Sequence, residues 1–274
     1  MKELEARPAE SFDFQEILYR KADWVATVTI NRPEVYNAYS TKTLAEMIEA
    51  FKDASRDDKV AVLVLTGAGE KAFCTGGDVK EYQSTFLRRP HDYWKWMAYF
   101  IEAIDLLRNL GKPAIARLNG IVAGGGNELN LACDLAVAAD HVTIRQVGTK
   151  VGSVACGGAT QWLPITIGDR RAREMLFTCE PISAQTALEW GLVNRVVPAE
   201  ELETAVLELV DAIARSSAYT VATGKAAFYA QIDRSEHDAY EHCQSVMAEN
   251  ALADDAQEGM GAFLDKRRPV WREP

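Results

Sequence analysis

The stretch NGIVAGGGNELNLACDLAVAAD, residues 119–140, carries the strongest signal for the fold. Its three consecutive glycines, at 124–126, cost backbone entropy, and such a run marks a place where another group approaches the chain closely. The residues after them predict a helix over 129–133 and a strand over 135–138. A helix that opens after glycines presents unpaired N–H groups and the positive end of its dipole. We therefore expect a site for a phosphate or a developing oxyanion, with tight helix–strand packing as the alternative.

A second glycine cluster lies upstream, in AFCTGGDVKEY over residues 72–82. It follows VAVLVL, residues 60–65, which has the pattern of a strand buried on both faces. The alternation in residues 24–30 predicts a half-buried strand. Strand, strand and helix patterns recur along the chain, and its last part is purely helical. The sequence therefore predicts an α/β core over residues 1–200, holding the site, and a helical C-terminal region over 201–274.

Composition and motifs argue against several classes of function. The 274-residue chain has a net charge of −10, which disfavours nucleic acid as a partner because phosphate binding needs clustered Lys and Arg. Its five cysteines and four histidines show no ligand spacing, so no metal is expected. No apolar stretch is long enough for a membrane span, and the first residues lack a signal-peptide core. We expect a cytoplasmic protein without a nucleotide-binding loop or a serine-hydrolase elbow.

Both glycine segments resemble the two signature segments of the crotonase (enoyl-CoA hydratase/isomerase) superfamily. That resemblance implies a ClpP-like spiral of ββα units followed by a helical trimerisation region. It also implies a homotrimer or a dimer of trimers that binds coenzyme A only as part of its thioester substrate, with no permanently bound cofactor. Three further segments share the resemblance: INRPEVYNAYS at 30–40, GDRRAREMLFTCEPISAQTALEWGLVNRVVP at 168–198 and EGMGAFLDKRRP at 258–269.

Motif position in the superfamily assigns catalytic roles to three residues. The backbone amides of Gly77 and Gly125 would hold the thioester oxygen as it becomes an enolate, and Glu128 would act as the base. Loss of one such donor typically raises a barrier by about 3–4 kcal/mol. For Glu128 the alternative is a carboxylate that only favours the helix dipole. Candidate substrate contacts are Thr75, Asp78, Tyr82, Trp96, Gln146, Gly148, Thr149 and Lys150, and candidate CoA contacts are Asn37, Ala38 and Lys266.

Some of these candidates have a second interpretation. Lys150 is either a cation for substrate or water, or a surface lysine. The aromatic segment over residues 82–100 either forms an ordinary core stripe or lines a pocket for a bulky acyl group. Lys266 begins a basic cluster that is either a phosphate contact or a solvated helix end.

Two reactions fit the pattern around Gly148. Hydratases of the superfamily use a second glutamate, and Gly148 stands at that place. The segment over residues 146–153 resembles instead the pattern GQxGPKxGS of a subgroup that includes ring-cleaving hydrolases. The sequence therefore predicts a C–C hydrolase that opens the ring of an alicyclic oxo-acyl-CoA of the 6-oxocyclohex-1-ene-1-carbonyl-CoA type. The alternative is an enoyl-CoA hydratase, with Glu128 as its sole catalytic carboxylate.

Overall fold

The computed structural model describes residues 5–271, and within them ten strands form two sheets. Six strands pair in the order β1-β2-β3-β5-β7-β10, and four in the order β4-β6-β8-β9. The strands are β1 Ile17–Ala22, β2 Val25–Ile30, β3 Val62–Gly67, β4 Ala72–Cys74, β5 Ala114–Leu118, β6 Ile121–Ala123, β7 Leu135–Ala139, β8 Thr143–Arg145, β9 Ile182–Ser183 and β10 Arg195–Val197.

The larger sheet forms the centre of the core. Strand β1 is antiparallel to β2, and β2, β3, β5, β7 and β10 are parallel to one another. Every residue of β3 is buried, as the continuous apolar run predicted. The strand begins at Val62 and not at Val60, because the Val60 amide closes a turn by donating to the Asp57 carbonyl.

The smaller sheet decides where the two glycine clusters lie. Strands β4 and β6 are parallel, with Ala72 opposite Ile121. Both glycine loops start where these strands end, so they meet at the same edge of the sheet. The backbone amides that follow both strands therefore lie in one region.

The helices surround these sheets. Ser40 caps the first one through a capping box with Thr43, and a serine directly before a helix is a typical N-cap residue. Short 3-10 segments occupy Ala9–Ser11, Pro33–Val35 and Ala199–Glu201, and a π-helical turn occupies Tyr82–Phe86. The α-helices are α1 Thr41–Arg56, α2 Val79–Glu81, α3 Pro90–Arg108, α4 Gly125–Ala132, α5 Gly148–Val151, α6 Trp162–Ile167, α7 Asp169–Thr178, α8 Ala184–Trp190, α9 Leu202–Ala214, α10 Ala218–Ala230, α11 Glu236–Asn250 and α12 Asp254–Leu264.

Helix α4 begins four residues earlier than its sequence suggests. Low helix propensity places glycines outside a helix, yet Gly125 and Gly126 form its first turn. Close packing accounts for this, because a Cβ on Gly126 would overlap the Cys74 carbonyl group. Gly124 makes the turn before the helix with a φ of 53°.

The helical C-terminal region is not uniform. Helix α9 buries Leu202, Val206 and Val210 and packs on strands of the large sheet, whereas α10 and α11 bury no residue. The described chain is helical from α9 to α12, yet α9 packs on the core, so the boundary near residue 200 stays a prediction. The outer ends of the two proposed regions, residues 1–4 and 272–274, lie outside the described residues. Within 5–271, no helix is both long and apolar enough to cross a membrane.

The packing of Gly126 predicts a contrast between two substitutions. We expect Gly126→Ala to lower the free energy of unfolding by at least about 1–3 kcal/mol, because its methyl group must displace the backbone of β4. Gly224→Ala is the matched control, since Gly224 lies in α10 with nothing within 4 Å of a built Cβ. It should raise stability by about 0.5–1 kcal/mol. Chemical denaturation would measure both, and equal stability of the two variants would contradict the packing argument.

Candidate active site

The two glycine loops come into direct contact. Gly76 has a φ of +96°, and a Cβ built on it would lie 3.0 Å from the Gly125 amide nitrogen. Only a glycine fits a left-handed conformation with a neighbouring backbone so close. The end of the first loop is thereby held against the first turn of α4, as the resemblance implied for an oxyanion hole.

Tyr39 fixes the loop around Gly77 from the other side. Its amide donates to the Gly76 carbonyl at 2.9 Å, and its carbonyl accepts from the Asp78 amide at 2.9 Å. The amides of Gly77 and Gly125 themselves donate to no backbone or side-chain acceptor among residues 5–271. Two unpaired donors on adjacent loops can therefore bind one oxygen atom.

The hydroxyl groups of two tyrosines occupy the space beside these glycines. A Cβ on Gly77 would overlap the Tyr82 hydroxyl, and a Cβ on Gly125 would overlap the Tyr39 hydroxyl. Burial raises the pKa of Tyr39 well above its usual value, and the nearby Tyr82 and Glu128 raise it further. Sequence reasoning singled out Tyr82 but missed Tyr39, which has no signal of its own beyond its place in the segment over residues 30–40.

Glu128 lies in the first turn of α4 and is 5% exposed. Its Oε1 accepts hydrogen bonds from the amides of Cys156 at 3.1 Å and Gly157 at 2.7 Å. Burial raises the pKa of the carboxyl group, and the backbone amides that face it oppose this shift. A buried carboxylate with a raised pKa, held in a fixed orientation, suits general-base chemistry. Sequence reasoning did not assign Cys156 or Gly157 to the site, because only the fold brings their amides to Glu128.

The place of the second hydratase glutamate is closed. A Cβ built on Gly148 would lie 2.9 Å from the Ser153 carbonyl oxygen and 3.5 Å from the Ala155 amide nitrogen. A glutamate side chain could not leave this position without displacing the backbone of the following loop. Glycine at this position is therefore part of the local packing.

The predicted aromatic pocket takes the form of a cluster of six rings. Tyr82 and Trp96 meet edge to face at 4.7 Å, and Tyr39 stacks on Phe100 at 5.0 Å. Phe100 also fills the space next to Gly157, whose amide holds Glu128. The cluster thus contacts Gly77, Gly125 and the loop whose amides bond to Glu128, while Trp96 and Phe100 are also part of the packed core, so the pocket interpretation stays a prediction. Its members are Tyr39, Tyr82, Phe86, Tyr93, Trp96 and Phe100.

Four other predicted substrate contacts have partners within the protein. The Thr75 hydroxyl donates to the Tyr36 carbonyl at 3.2 Å. Asp78 caps α2 and pairs with Arg32 at 2.9 Å. The two remaining side chains lie at the surface, where Thr149 donates to the Leu176 carbonyl and exposed Lys150 pairs with Glu180. The structure therefore favours the surface interpretation of Lys150, and none of these four side chains is left unpaired for a substrate.

Gln146 and Trp96 differ from those four. Gln146 is 1% exposed and Trp96 is 4% exposed. The Gln146 Nε2 and the Trp96 Nε1 have no hydrogen-bond partner within residues 5–271. Buried donors without a partner are costly, so these two remain candidates for contact with a ligand.

Of the three predicted CoA contacts, Asn37 and Ala38 are neighbours just before α1, and Lys266 follows α12. The side chain of Asn37 is 1% exposed and bonds to the Ala68 and Ala72 carbonyl groups. Its amide group is therefore used within the fold, and a CoA contact there would have to come from the main chain. The Ala38 carbonyl accepts from a guanidinium group. Lys266 follows α12, which packs against α10.

The described residues contain no group of three or more His, Cys, Asp or Glu side chains that could hold a metal ion. The chemistry at hand is that of two free amides, one buried carboxyl group and aromatic side chains with polar atoms.

Comparison with known proteins agrees with this geometry. The family model for enoyl-CoA hydratase/isomerase matches residues 20–274. A solved enoyl-CoA hydratase from Mycobacterium smegmatis is 37% identical with a TM-score of 0.89, covering 94% of this chain and 99% of that one. One from Bacillus anthracis is 32% identical with a TM-score of 0.89, covering 95% and 100%. Human enoyl-CoA hydratase domain-containing protein 3 is 31% identical with a TM-score of 0.88, covering 94% and 100%.

Burial of Glu128 predicts a pH-dependent effect of Glu128→Gln on stability. Because folding raises the pKa of this carboxyl group, its stabilising contribution is present below the unfolded pKa and is lost as pH rises toward the folded one. Glu128→Gln has no carboxyl group to ionise at this position, so its stability does not fall in this way. Its melting temperature should therefore rise relative to the wild type as pH increases from about 4 to 7. Thermal melts across this range would measure the difference, with Glu249→Gln on the exposed face of α11 as a control for charge. A melting temperature of Glu128→Gln that falls relative to the wild type with rising pH would contradict the prediction.

Proposed function

Because this chain belongs to the enoyl-CoA hydratase/isomerase family, we propose that it is an acyl-CoA enzyme that stabilises a thioester enolate. The observation that carries this proposal is the pair of unpaired amides of Gly77 and Gly125 on touching loops. Donors fixed before the reaction stabilise a developing oxyanion without a reorganisation cost. Glu128 is the single buried carboxyl group in the first turn of the same helix, and we assign it as the base.

The reaction that we propose is hydrolytic ring opening of an alicyclic oxo-acyl-CoA of the 6-oxocyclohex-1-ene-1-carbonyl-CoA type. Two features support it. The packing at Gly148 leaves no room for the second glutamate of a hydratase. The cluster of six rings lies beside Gly77 and Gly125, and aromatic side chains next to the reacting group suit a bulky ring. In a substrate of this type the ring ketone is β to the thioester carbonyl group.

The proposed mechanism needs one carboxylate. Glu128 takes a proton from water, and the hydroxide oxygen bonds to the carbon of the ring ketone while the carbonyl electron pair moves to its oxygen. That tetrahedral centre collapses, re-forms C=O as a carboxylic acid, and breaks the ring C–C bond. The electron pair of this bond passes into the thioester as an enolate, whose oxygen is held by Gly77 and Gly125. The proton on Glu128 then returns to the α-carbon. For the enone substrate, a prior addition of water across C=C uses the same base.

The alternative is hydration of an enoyl-CoA, including a cyclic dienoyl-CoA, with Glu128 alone as catalytic carboxylate. The similar solved structures from Mycobacterium smegmatis and Bacillus anthracis are enoyl-CoA hydratases, which favours this reaction. It uses the same two amides for the enolate. The two proposals therefore differ in the fate of the ring and not in the oxyanion hole.

Product mass separates the two reactions. With 6-oxocyclohex-1-ene-1-carbonyl-CoA we expect a ring-opened product with a new carboxyl group and the mass of two added water molecules, one from addition across C=C and one from ring cleavage, whereas hydration alone adds one. Liquid chromatography–mass spectrometry would follow the product. Crotonyl-CoA should turn over slowly or not at all. Efficient reversible hydration of crotonyl-CoA, together with a product of the 6-oxo substrate that keeps its ring, would instead favour the hydratase.

Glu128→Gln tests the base in either reaction. We expect turnover to fall by about 10²–10⁴-fold, because a glutamine cannot accept the proton of water. The wild-type rate should rise with pH as Glu128 ionises, with its midpoint above the usual carboxyl pKa of 4.5, because burial raises this pKa. Steady-state rates from about pH 4 to 8 would measure both effects. Unchanged turnover in the variant would remove Glu128 from the mechanism.

We also propose that the chain assembles as a homotrimer or a dimer of trimers. Apolar side chains at the C-terminal helices are largely exposed, with Leu252 at 85%, Phe263 at 83% and Leu264 at 78%. Exposed apolar patches of this kind mark interaction surfaces. Light scattering after size-exclusion chromatography should give three or six times the mass of one chain, and a monomer at micromolar concentration would contradict this proposal.

A further inference from the structure

The hydroxyl groups of Tyr39 and Tyr82 lie on the same wall of the site as the two oxyanion amides. Each hydroxyl fills the space beside one glycine α-carbon, Tyr82 at Gly77 and Tyr39 at Gly125. Two phenolic O–H groups therefore lie beside the two residues whose amides would bind the thioester oxygen. The mechanism above gives these groups no task.

The partners of these hydroxyls set them apart from other buried tyrosines. Tyr19 donates to Asp53 at 2.8 Å, and Tyr229 donates to Asp134 at 2.7 Å. Tyr39 and Tyr82 have no such carboxylate partner among residues 5–271, and their hydroxyls lie close to each other instead. Since two hydroxyls that bond to each other use one donor, the second donor remains available for a ligand.

Tyr82 is the member of the pair that can reach a ligand. Tyr39 is buried, whereas Tyr82 is only partly buried. A hydroxyl group rotates about its C–O bond, so the Tyr82 hydrogen can turn toward an acceptor in the site.

The two carbonyl groups of a β-oxo thioester match the amide and hydroxyl donors on this side of the site. One carbon atom separates its two carbonyl groups, so the two carbonyl oxygens can lie side by side and face the same surface. If the thioester oxygen is held by the two amides, the ketone oxygen comes next to the hydroxyl pair. A simple enoyl thioester has no second oxygen to place there.

We propose that the Tyr82 hydroxyl binds the ketone oxygen of a β-oxo acyl thioester, and that Tyr39 positions Tyr82. The reaction assigned to this ketone rests on the function proposed above. As hydroxide adds to the ketone carbon, the electron pair that moves to the ketone oxygen is stabilised by the Tyr82 hydrogen bond. When the C–C bond breaks, that pair re-forms C=O and the pair of the broken bond moves to the oxygen at Gly77 and Gly125. Tyr82 thus acts as a catalytic residue without losing its proton.

Binding in an inactive background tests this assignment without relying on turnover. The protein carries Glu128→Gln, and calorimetry compares 2-oxocyclohexane-1-carbonyl-CoA with cyclohexane-1-carbonyl-CoA, which differ only in the ketone. We expect the oxo compound to bind about tenfold more tightly, as for one well-made hydrogen bond. Adding Tyr82→Phe should remove this preference while leaving the affinity for cyclohexane-1-carbonyl-CoA within about twofold. Tyr99→Phe, a change of the same size on α3, is the control and should keep the preference.

Three results would overturn the inference: no preference for the oxo compound, a preference that survives Tyr82→Phe, or an equal loss of affinity for both compounds. The last would show a purely structural role for Tyr82. The binding role and the proposed reaction can fail independently. If the preference depends on Tyr82 but the wild-type protein never opens the ring, the binding role is supported and the hydrolase reaction is contradicted. In an active hydrolase, Tyr82→Phe should lower kcat for ring opening by about 10²-fold, in the range reported for loss of one oxyanion donor.

Discussion

Parallel pairing of β4 with β6 is the constraint on which the rest of the site depends. Because the two short strands run side by side, with Ala72 opposite Ile121, the chain leaves both at one edge and enters its two glycine loops there. Unpaired amides arise at any helix start, but here two of them come from separate parts of the chain and converge. The bonds of the Tyr39 main chain to Gly76 and Asp78 hold this arrangement.

The glycines of the site are best understood by what occupies the space of their absent side chains. A hydroxyl group takes this space at Gly77 and at Gly125, and backbone takes it at Gly126. Glycine therefore serves packing and chemistry together, because the same close approach that excludes a Cβ also brings tyrosine hydroxyls next to free amides. Sequence alone could identify the glycines, since their clustering is local, but not the groups that fill their space.

The sequence predicted local features and missed contacts between parts of the chain that are far apart in sequence. The strands, the Ser40 cap, the glycine loops and Glu128 follow from local pattern and family resemblance. Asp78 and Lys150 were predicted as substrate contacts, and the sequence could not show that they pair with Arg32 and Glu180, which are far away in the chain. Tyr39 escaped notice for the same reason, since an aromatic residue before a helix cap looks ordinary until the fold sets its hydroxyl against Gly125.

One loop, over residues 153–157, affects both position 148 and the carboxyl group of Glu128. The Ser153 carbonyl fills the space that a side chain at position 148 would need, and three residues further on the amides of Cys156 and Gly157 hold Glu128. These amides favour the charged form of Glu128 while burial favours the neutral form, which keeps the carboxyl group oriented yet able to take a proton. A loop placed to admit a second glutamate would have to move away from position 148 and would carry these amides with it. Orientation of a single base and exclusion of a second one are therefore two results of the same backbone path.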